Sequence, residues 1–236
     1  VQVDGSGNIL HWYSANLGEA YDDVLARVWS FWKNLPLDSN GARYYMNHQV
    51  WRPNHDRRGI GGDQVMMALS SWNLYYDYTG DESVLDNMKY MADYYLAHSL
   101  SSSSCKWPNL PYPYNDSVES GIYDGDMILG KGYLQPDKAG SFGFELVHLY
   151  KKTGDKKYLD AAIKIANTLA EKVRPGDNDH SPWPFKVNAE TGEPGVIVDQ
   201  EVWYEGMSKD IGKKKAIVKR SEYTTNWTGT LELFNR

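Results

Sequence analysis

The chain has 236 residues, 41% of them hydrophobic, with 21 glycines, a composition that folds rather than one that stays disordered. Its net charge of -6 leaves no cationic excess to neutralise phosphates, which argues against a nucleic-acid partner, and no apolar run nears the roughly 18 residues of a membrane span. With Cys105 as the sole cysteine, an internal disulfide and a multi-cysteine zinc site are both excluded.

In chain order, the first periodic window runs from Leu17 through Tyr21, Val24, Val28, Phe31 and Leu35, an amphipathic helix stopped by Pro36. A second helix starts at Asp63, with Val65, Leu69, Trp72 and Tyr76 as its buried stripe, and stops at Thr79-Gly80-Asp81. A third follows at once on Leu85, Met88, Ala92 and Tyr95. A connection of three residues forces the two to pack antiparallel as an αα-hairpin. The pattern then repeats 74 residues on, from position 79 to 153: Thr153-Gly154-Asp155 echoes the turn, Asp137 falls on Asp63, and Leu159, Ile163, Ala166, Ala170 and Val173 form the next stripe. Each hairpin can bury its apolar face only against a neighbour, so the expected fold is all-α, an array of αα-hairpins in a single domain spanning 1–236. A last helix is expected from Ser221 to Arg236 through Trp227, Leu231 and Phe234. It either closes a small ring against the first helix or belongs to a longer toroid.

Two long connections separate the hairpins, 101 to 136 and 174 to 219. Segments of that length in a folded chain usually carry function. Both bear tryptophan among prolines, Trp107-Pro108 through Tyr112 in one and Pro182-Trp183-Pro184 in the other, and both leave from the same side of the array. Nine Trp and 18 Tyr against five Phe mean that most aromatic rings offer an apolar face and a hydrogen-bonding edge, the two surfaces that a sugar ring also presents.

The segments YYDYTGDESVLDNMKYMADYYL and LYKKTGDKKYLDAAIKIANTLA, with WPF and then NAETGE at 188–193, resemble the six-hairpin glycosidase superfamily over about 59–236. That family comprises (α/α) toroids among which are hydrolases of unsaturated uronides, other glycosidases, sugar epimerases and polysaccharide lyases. The resemblance implies a toroid with a cleft at one rim, an oligosaccharide or polysaccharide substrate and a periplasmic or secreted setting. Its motifs are architectural and carry no catalytic residue across.

Glycoside hydrolysis needs a carboxylic acid to protonate the leaving oxygen and a carboxylate to activate water or attack. The acidic candidates at the rim are Asp63 and Asp137, at equivalent helix starts, and Asp124 and Asp126 of Tyr123-Asp124-Gly125-Asp126 near Glu119. Each has a plainer reading, as a helix cap for the first two and as an Asx turn for the others. His180, between Asp179 and Ser181-Pro182-Trp183, is a general acid or base, a hydroxyl binder, or a turn histidine. Arg52, Arg57 and Arg58, just before Gly59-Ile60-Gly61-Gly62, either recognise a substrate carboxylate or lie in a solvated loop, His55 beside them is a further substrate-binding candidate, and Trp107, Tyr112, Trp183 and Trp203 would stack on sugar rings. Neither a metal nor a cofactor is expected: Asp4-Gly5-Ser6-Gly7-Asn8 has Ile9 where an EF-hand loop needs glycine, and HExxH, GxSxG and a phosphate loop are absent. The leading reading is a glycoside hydrolase acting on oligosaccharides, including those with uronic acids. A lyase or epimerase on the same scaffold, and a carbohydrate-binding scaffold without catalysis, are the alternatives.

Overall fold

Helical periodicity and paired turns shape the described part of this chain. The structure, a computed structural model, describes residues 3–9, 11, 14–37, 43, 64–113, 122–123, 126–127, 132–198, 218–220 and 222–236. Among them run helices α1 (Leu17–Lys33), α2 (Gln64–Thr79), α3 (Glu82–His98), α4 (Pro136–Thr153), α5 (Lys156–Glu171) and α6 (Thr228–Phe234). Short strands form antiparallel pairs in the connections: β1 (Ile122–Tyr123) with β2 (Asp126–Met127), β3 (Tyr133–Leu134) with β4 (Val187–Asn188), and β5 (Val196–Val198) with β6 (Val218–Arg220). The fold is all-α in class, an array of αα-hairpins, and the strands only staple its loops.

The two Thr-Gly-Asp turns are built alike. The threonine hydroxyl donates to the carbonyl four residues back, Thr79 to Tyr75 at 2.8 Å and Thr153 to Leu149 at 2.7 Å. The glycine takes a left-handed φ, +65° at Gly80 and +70° at Gly154, which a side chain resists. The aspartate then caps the next helix, Asp81 accepting from the Ser83 amide at 2.9 Å and Asp155 from the Lys157 amide at 3.0 Å. Asp81 also accepts the Trp29 indole N–H at 3.1 Å, which fastens α1 to the turn. The Ser83 hydroxyl is the chief influence holding the Asp81 carboxyl below its usual range. Asp81→Ala is therefore expected to lower stability by about 1 kcal/mol, and by more than Asp155→Ala, because it also releases the indole. Denaturant titration of both variants compares them.

Helix α2 packs on α3 and α4, and α4 on α5 and α6. Helices α3 and α5 lie behind, each touching the first helix of the following unit, so that α2, α4 and α6 form one layer and α3 and α5 another. Contact between α4 and α6 runs through glycine. A Cβ on Gly140 would meet Thr230, one on Gly143 would meet Leu233, and one on Gly229 would meet Ser141. The pairs Gly140–Thr230 and Gly143–Leu233 step three residues along both helices in the same sense, so the two run parallel. Val65, Leu69, Trp72, Leu85, Met88, Ala92 and Tyr95 are buried, as their spacing predicts.

Three expectations need correction. In α1 the predicted stripe faces outward: Leu17 is 71% and Phe31 69% exposed, with Tyr21 and Val28 also exposed. The helix docks instead by Trp29 and Trp32, whose rings lie 5.0 and 5.2 Å from that of Trp72 on α2. Large indole rings that reach another aromatic ring outweigh a stripe that finds no partner among the described residues. In α5 the buried residues are Tyr158, Ala162, Ile165, Thr168 and Leu169, and the four apolar or aromatic ones lie one position before the predicted set, while Ile163 and Val173 are exposed. Helix α6 begins at Thr228 rather than Ser221 and sits on α4 and α5, not paired with α1 as a ring of three hairpins would require.

Candidate functional site

The ends of the helices opposite the Thr-Gly-Asp turns form one rim. Beyond α3, Ser101 organises the first connection: its hydroxyl donates to Trp107 O at 2.7 Å and accepts the Leu110 amide at 3.0 Å. In the second, Asn188 Oδ1 accepts the amides of Glu190 and Thr191, both at 3.0 Å, and Gly192 takes φ +72°, so NAETGE is a tight turn. The connections then join each other. The Trp107 amide donates to Ala189 O at 3.1 Å, Ala189 N to Gly132 O at 2.9 Å, and the Thr168 hydroxyl at the end of α5 to Pro108 O at 2.9 Å. With β3 paired to β4, both long connections meet on a common face.

At this rim α4 begins with Pro136 and Asp137. The Asp137 residue is 2% exposed; its Oδ2 accepts the Asn226 side-chain amide Nδ2–H at 3.3 Å and lies 3.5 Å from Lys138 Nζ. The first turn of a helix favours a carboxylate, which is one reason an acid is tolerated at such depth. Asn226 belongs to a non-helical strap, 222–227, that occupies the place of the expected first turns of α6. The strap's other end is held by the loop after α5: the Ser181 amide donates to Glu222 O at 3.1 Å, Thr224 N donates to Ser181 Oγ at 3.1 Å, and Arg174 donates to Glu222 Oε2 at 2.8 Å. Glu222, Thr224 and Asn226 are thus committed to tertiary bonds, and the helix starts only after them.

The loop that holds the strap carries His180. Its Nδ1 lies 2.8 and 2.9 Å from the two carboxylate oxygens of Asp177, whose Oδ1 also accepts the amides of Asp179 and His180. The Asp179 amide, followed by the His180 ring, holds the Asp177 carboxyl below the usual range.

The predicted site residues divide into several groups. Asp137 and His180 lie at the rim, linked through the strap. Arg52, His55, Arg57, Arg58, Asp63, Asp124 and Trp203 lie outside the described residues, and Asp126 is described only as backbone of β2, paired to Tyr123. The proposed stacking role of Trp107 and Trp183 is corrected, since both are buried core residues. Trp183 is 5% exposed, its indole N–H donates to Leu169 O at 2.7 Å, and its ring lies 4.9 Å from that of Trp227. With its face and edge both used, that ring has no surface left for a sugar. Tyr112 is half-buried against the same core; burial chiefly, then Cys105 and Glu190, pushes its hydroxyl above the usual range.

Sequence reasoning missed Lys138, Asn226 and Asp177. The last had a signal, an aspartate three residues before a histidine in a turn-rich stretch. Asn226 had none, because its partner is 89 positions away. Among the described residues no group of three or more His, Cys, Asp or Glu is gathered closely enough to hold a metal ion. Asp4 binds its own turn, accepting the Ser6 and Asn8 amides at 2.8 and 2.9 Å. No described helix is long and apolar enough to cross a membrane.

No protein-family model matches the chain, and no curated protein matches it. Solved structures of an alpha-1,6-mannanase from Salegentibacter sp. HEL1_6 are similar at 23% identity. One, of the enzyme itself, has a TM-score of 0.43 and covers 69% of this chain and 43% of that one. Another, an inactive variant in complex with alpha-1,6-mannotetrose, has a TM-score of 0.40 and covers 69% and 42%. The chain thus spans less than half the length of those structures.

Proposed function

We propose that the chain is a carbohydrate-active enzyme, a glycoside hydrolase acting on oligosaccharides at the rim. The observation that carries this reading is the junction of the two long connections at one end of the array, where α4 presents the buried Asp137 and the neighbouring loop presents His180. Hydrolysis needs one group to protonate the glycosidic oxygen and another to activate water, and groups of both kinds lie along one strap. Asp137, Asp63, Asp124 and Asp126 are the candidate acids and His180 the candidate base. His55, Arg57, Arg58, Tyr112 and Trp203 are the proposed substrate contacts, the two arginines suited to a uronic carboxylate.

Turnover of defined neutral and uronic-acid oligosaccharides, followed by release of reducing ends, tests this in the four aspartate-to-asparagine variants. At least one is expected to lose about 10²-fold or more in kcat while its near-ultraviolet circular dichroism is retained. Wild-type rates in all four would refute the assignment. The Asp177–His180 pair favours a second reading, proton abstraction beside a sugar carboxylate as in a lyase or epimerase. A lyase product is an unsaturated sugar that absorbs in the near ultraviolet, and a hydrolase acting on a saturated substrate makes none.

A further inference from the structure

We propose that Asp177 is the positioning residue of His180, fixing the imidazole with its proton on Nδ1 so that Nε2 is the atom that accepts a proton from a saccharide-bound water at the rim. The inference rests on the hydrolase reading and goes beyond it by assigning the tautomer and the residue that sets it. A carboxylate is only an acceptor, so a neutral imidazole facing it at 2.8 and 2.9 Å must place its N–H there and its lone pair on the other nitrogen. The carboxylate is itself immobilised, because Oδ1 takes the Asp179 amide at 2.8 Å and the His180 amide at 2.7 Å, while the Asp177 amide donates to His180 O at 2.8 Å. The pair is therefore held by bonds to its own turn as well as to each other.

The loop below it is equally tied. Arg174 donates from its backbone to Pro182 O at 3.1 Å and from Nε to Ser181 O at 3.1 Å, and Gly176 has backbone and ring atoms 3.3 Å from where a Cβ would stand. Ser181, next to His180, is bonded to Glu222, and Asn226 to Asp137, so the chain between the two attachment points spans at most about 14 Å. In the step this geometry serves, the water proton passes to His180 Nε2 and the water oxygen bonds to the anomeric carbon. The glycosidic C–O bond breaks, and its oxygen takes a proton from a rim carboxyl group. The imidazolium that forms is stabilised by the Asp177 carboxylate it already faces.

Asp177→Asn separates positioning from loop structure. The Asn carbonyl oxygen can still accept both amides and keep the turn, while its NH₂ group now faces the ring and drives the proton to Nε2. In the full chain at about pH 8.5, where imidazoles are neutral, ring ¹⁵N spectra are expected to show the Nδ1–H tautomer at His180 in the wild type and the Nε2–H tautomer in Asp177→Asn. The variant is expected to lose about 10²-fold in kcat with KM nearly unchanged, as His180→Gln does, whereas Asp179→Asn, in the same loop, keeps wild-type turnover. An unchanged tautomer, or a switched tautomer with wild-type kcat, overturns the inference even though the protein is an enzyme. A wild type that turns over no saccharide overturns the hydrolase reading instead, and the spectra alone then report whether Asp177 holds the ring.

Discussion

Gly140→Ala is expected to destabilise the protein by about 3 kcal/mol or more, against the direction that helix propensity alone predicts. In the interior of an exposed helix the same change stabilises by up to about 1 kcal/mol, because alanine loses less backbone entropy. Here the added methyl would stand 2.0 Å from Thr230 Oγ1 and 2.7 Å from Thr230 Cα. The hydroxyl can rotate away, but the Cα cannot, so relief requires α6 to move off α4. Thr230 is fully buried and Leu233 nearly so, and that movement exposes both and slackens the strap that delivers Asn226 to Asp137. Gly154→Ala is the control. Nothing lies within 4 Å of its Cβ position, so only the left-handed φ opposes the change, at about 1 kcal/mol. Guanidinium unfolding midpoints for the two variants should therefore differ clearly; equal midpoints would mean that α6 is not seated on α4 at this separation.

The features legible in the sequence are those written in local chemistry. Thr-Gly-Asp specifies a hydroxyl bond, a left-handed residue and a helix cap within three positions, and both copies fold alike because nothing distant is needed. The shared rim was legible for the same reason: two hairpins with long exits on one side bring those exits together. The docking face of α1 was not, since counting apolar residues favours Leu17, Val24 and Phe31, whereas the indoles of Trp29 and Trp32 find Trp72 only in three dimensions. Sugar-stacking roles for Trp107 and Trp183 failed on the same ground. A Trp-Pro loop reads as exposed until the partner of its N–H is known, and for Trp183 that partner is a carbonyl at the end of α5. The start of α6 was misplaced because residues that could extend the helix bond to Ser181 and Asp137 instead, a competition invisible to periodicity.

Glu145→Gln is expected to raise stability by about 3 kcal/mol at pH 8 and to change it little at pH 4. Glu145 is buried on α4, 7% exposed, and burial first, with Glu232 of α6 second, pushes its carboxyl from 4.5 up to about 7. Below pH 4.5 the group is neutral in folded and unfolded chains and contributes no difference. Between 4.5 and about 7 the folded chain keeps a proton that the unfolded chain has released, so stability falls as pH rises, and above about 7 the full loss is present. That gap corresponds to about 3 kcal/mol. His148, with Nδ1 at 3.3 Å from Glu145 Oε2, works in the opposite direction. Burial chiefly, then Arg236, Lys151 and Lys152, holds it below 6.5, so its contribution rises with pH until the unfolded histidine is also neutral. The two trends oppose each other up to pH 6.5, beyond which only the carboxyl penalty remains. A neutral glutamine mimics the protonated acid, since its N–H can donate to Nδ1 as the carboxyl O–H does. Denaturant midpoints of wild type and variant across pH 4 to 9 should converge at the acid end and separate at the alkaline end. Parallel curves would show that the Glu145 charge is not desolvated between α4 and α6.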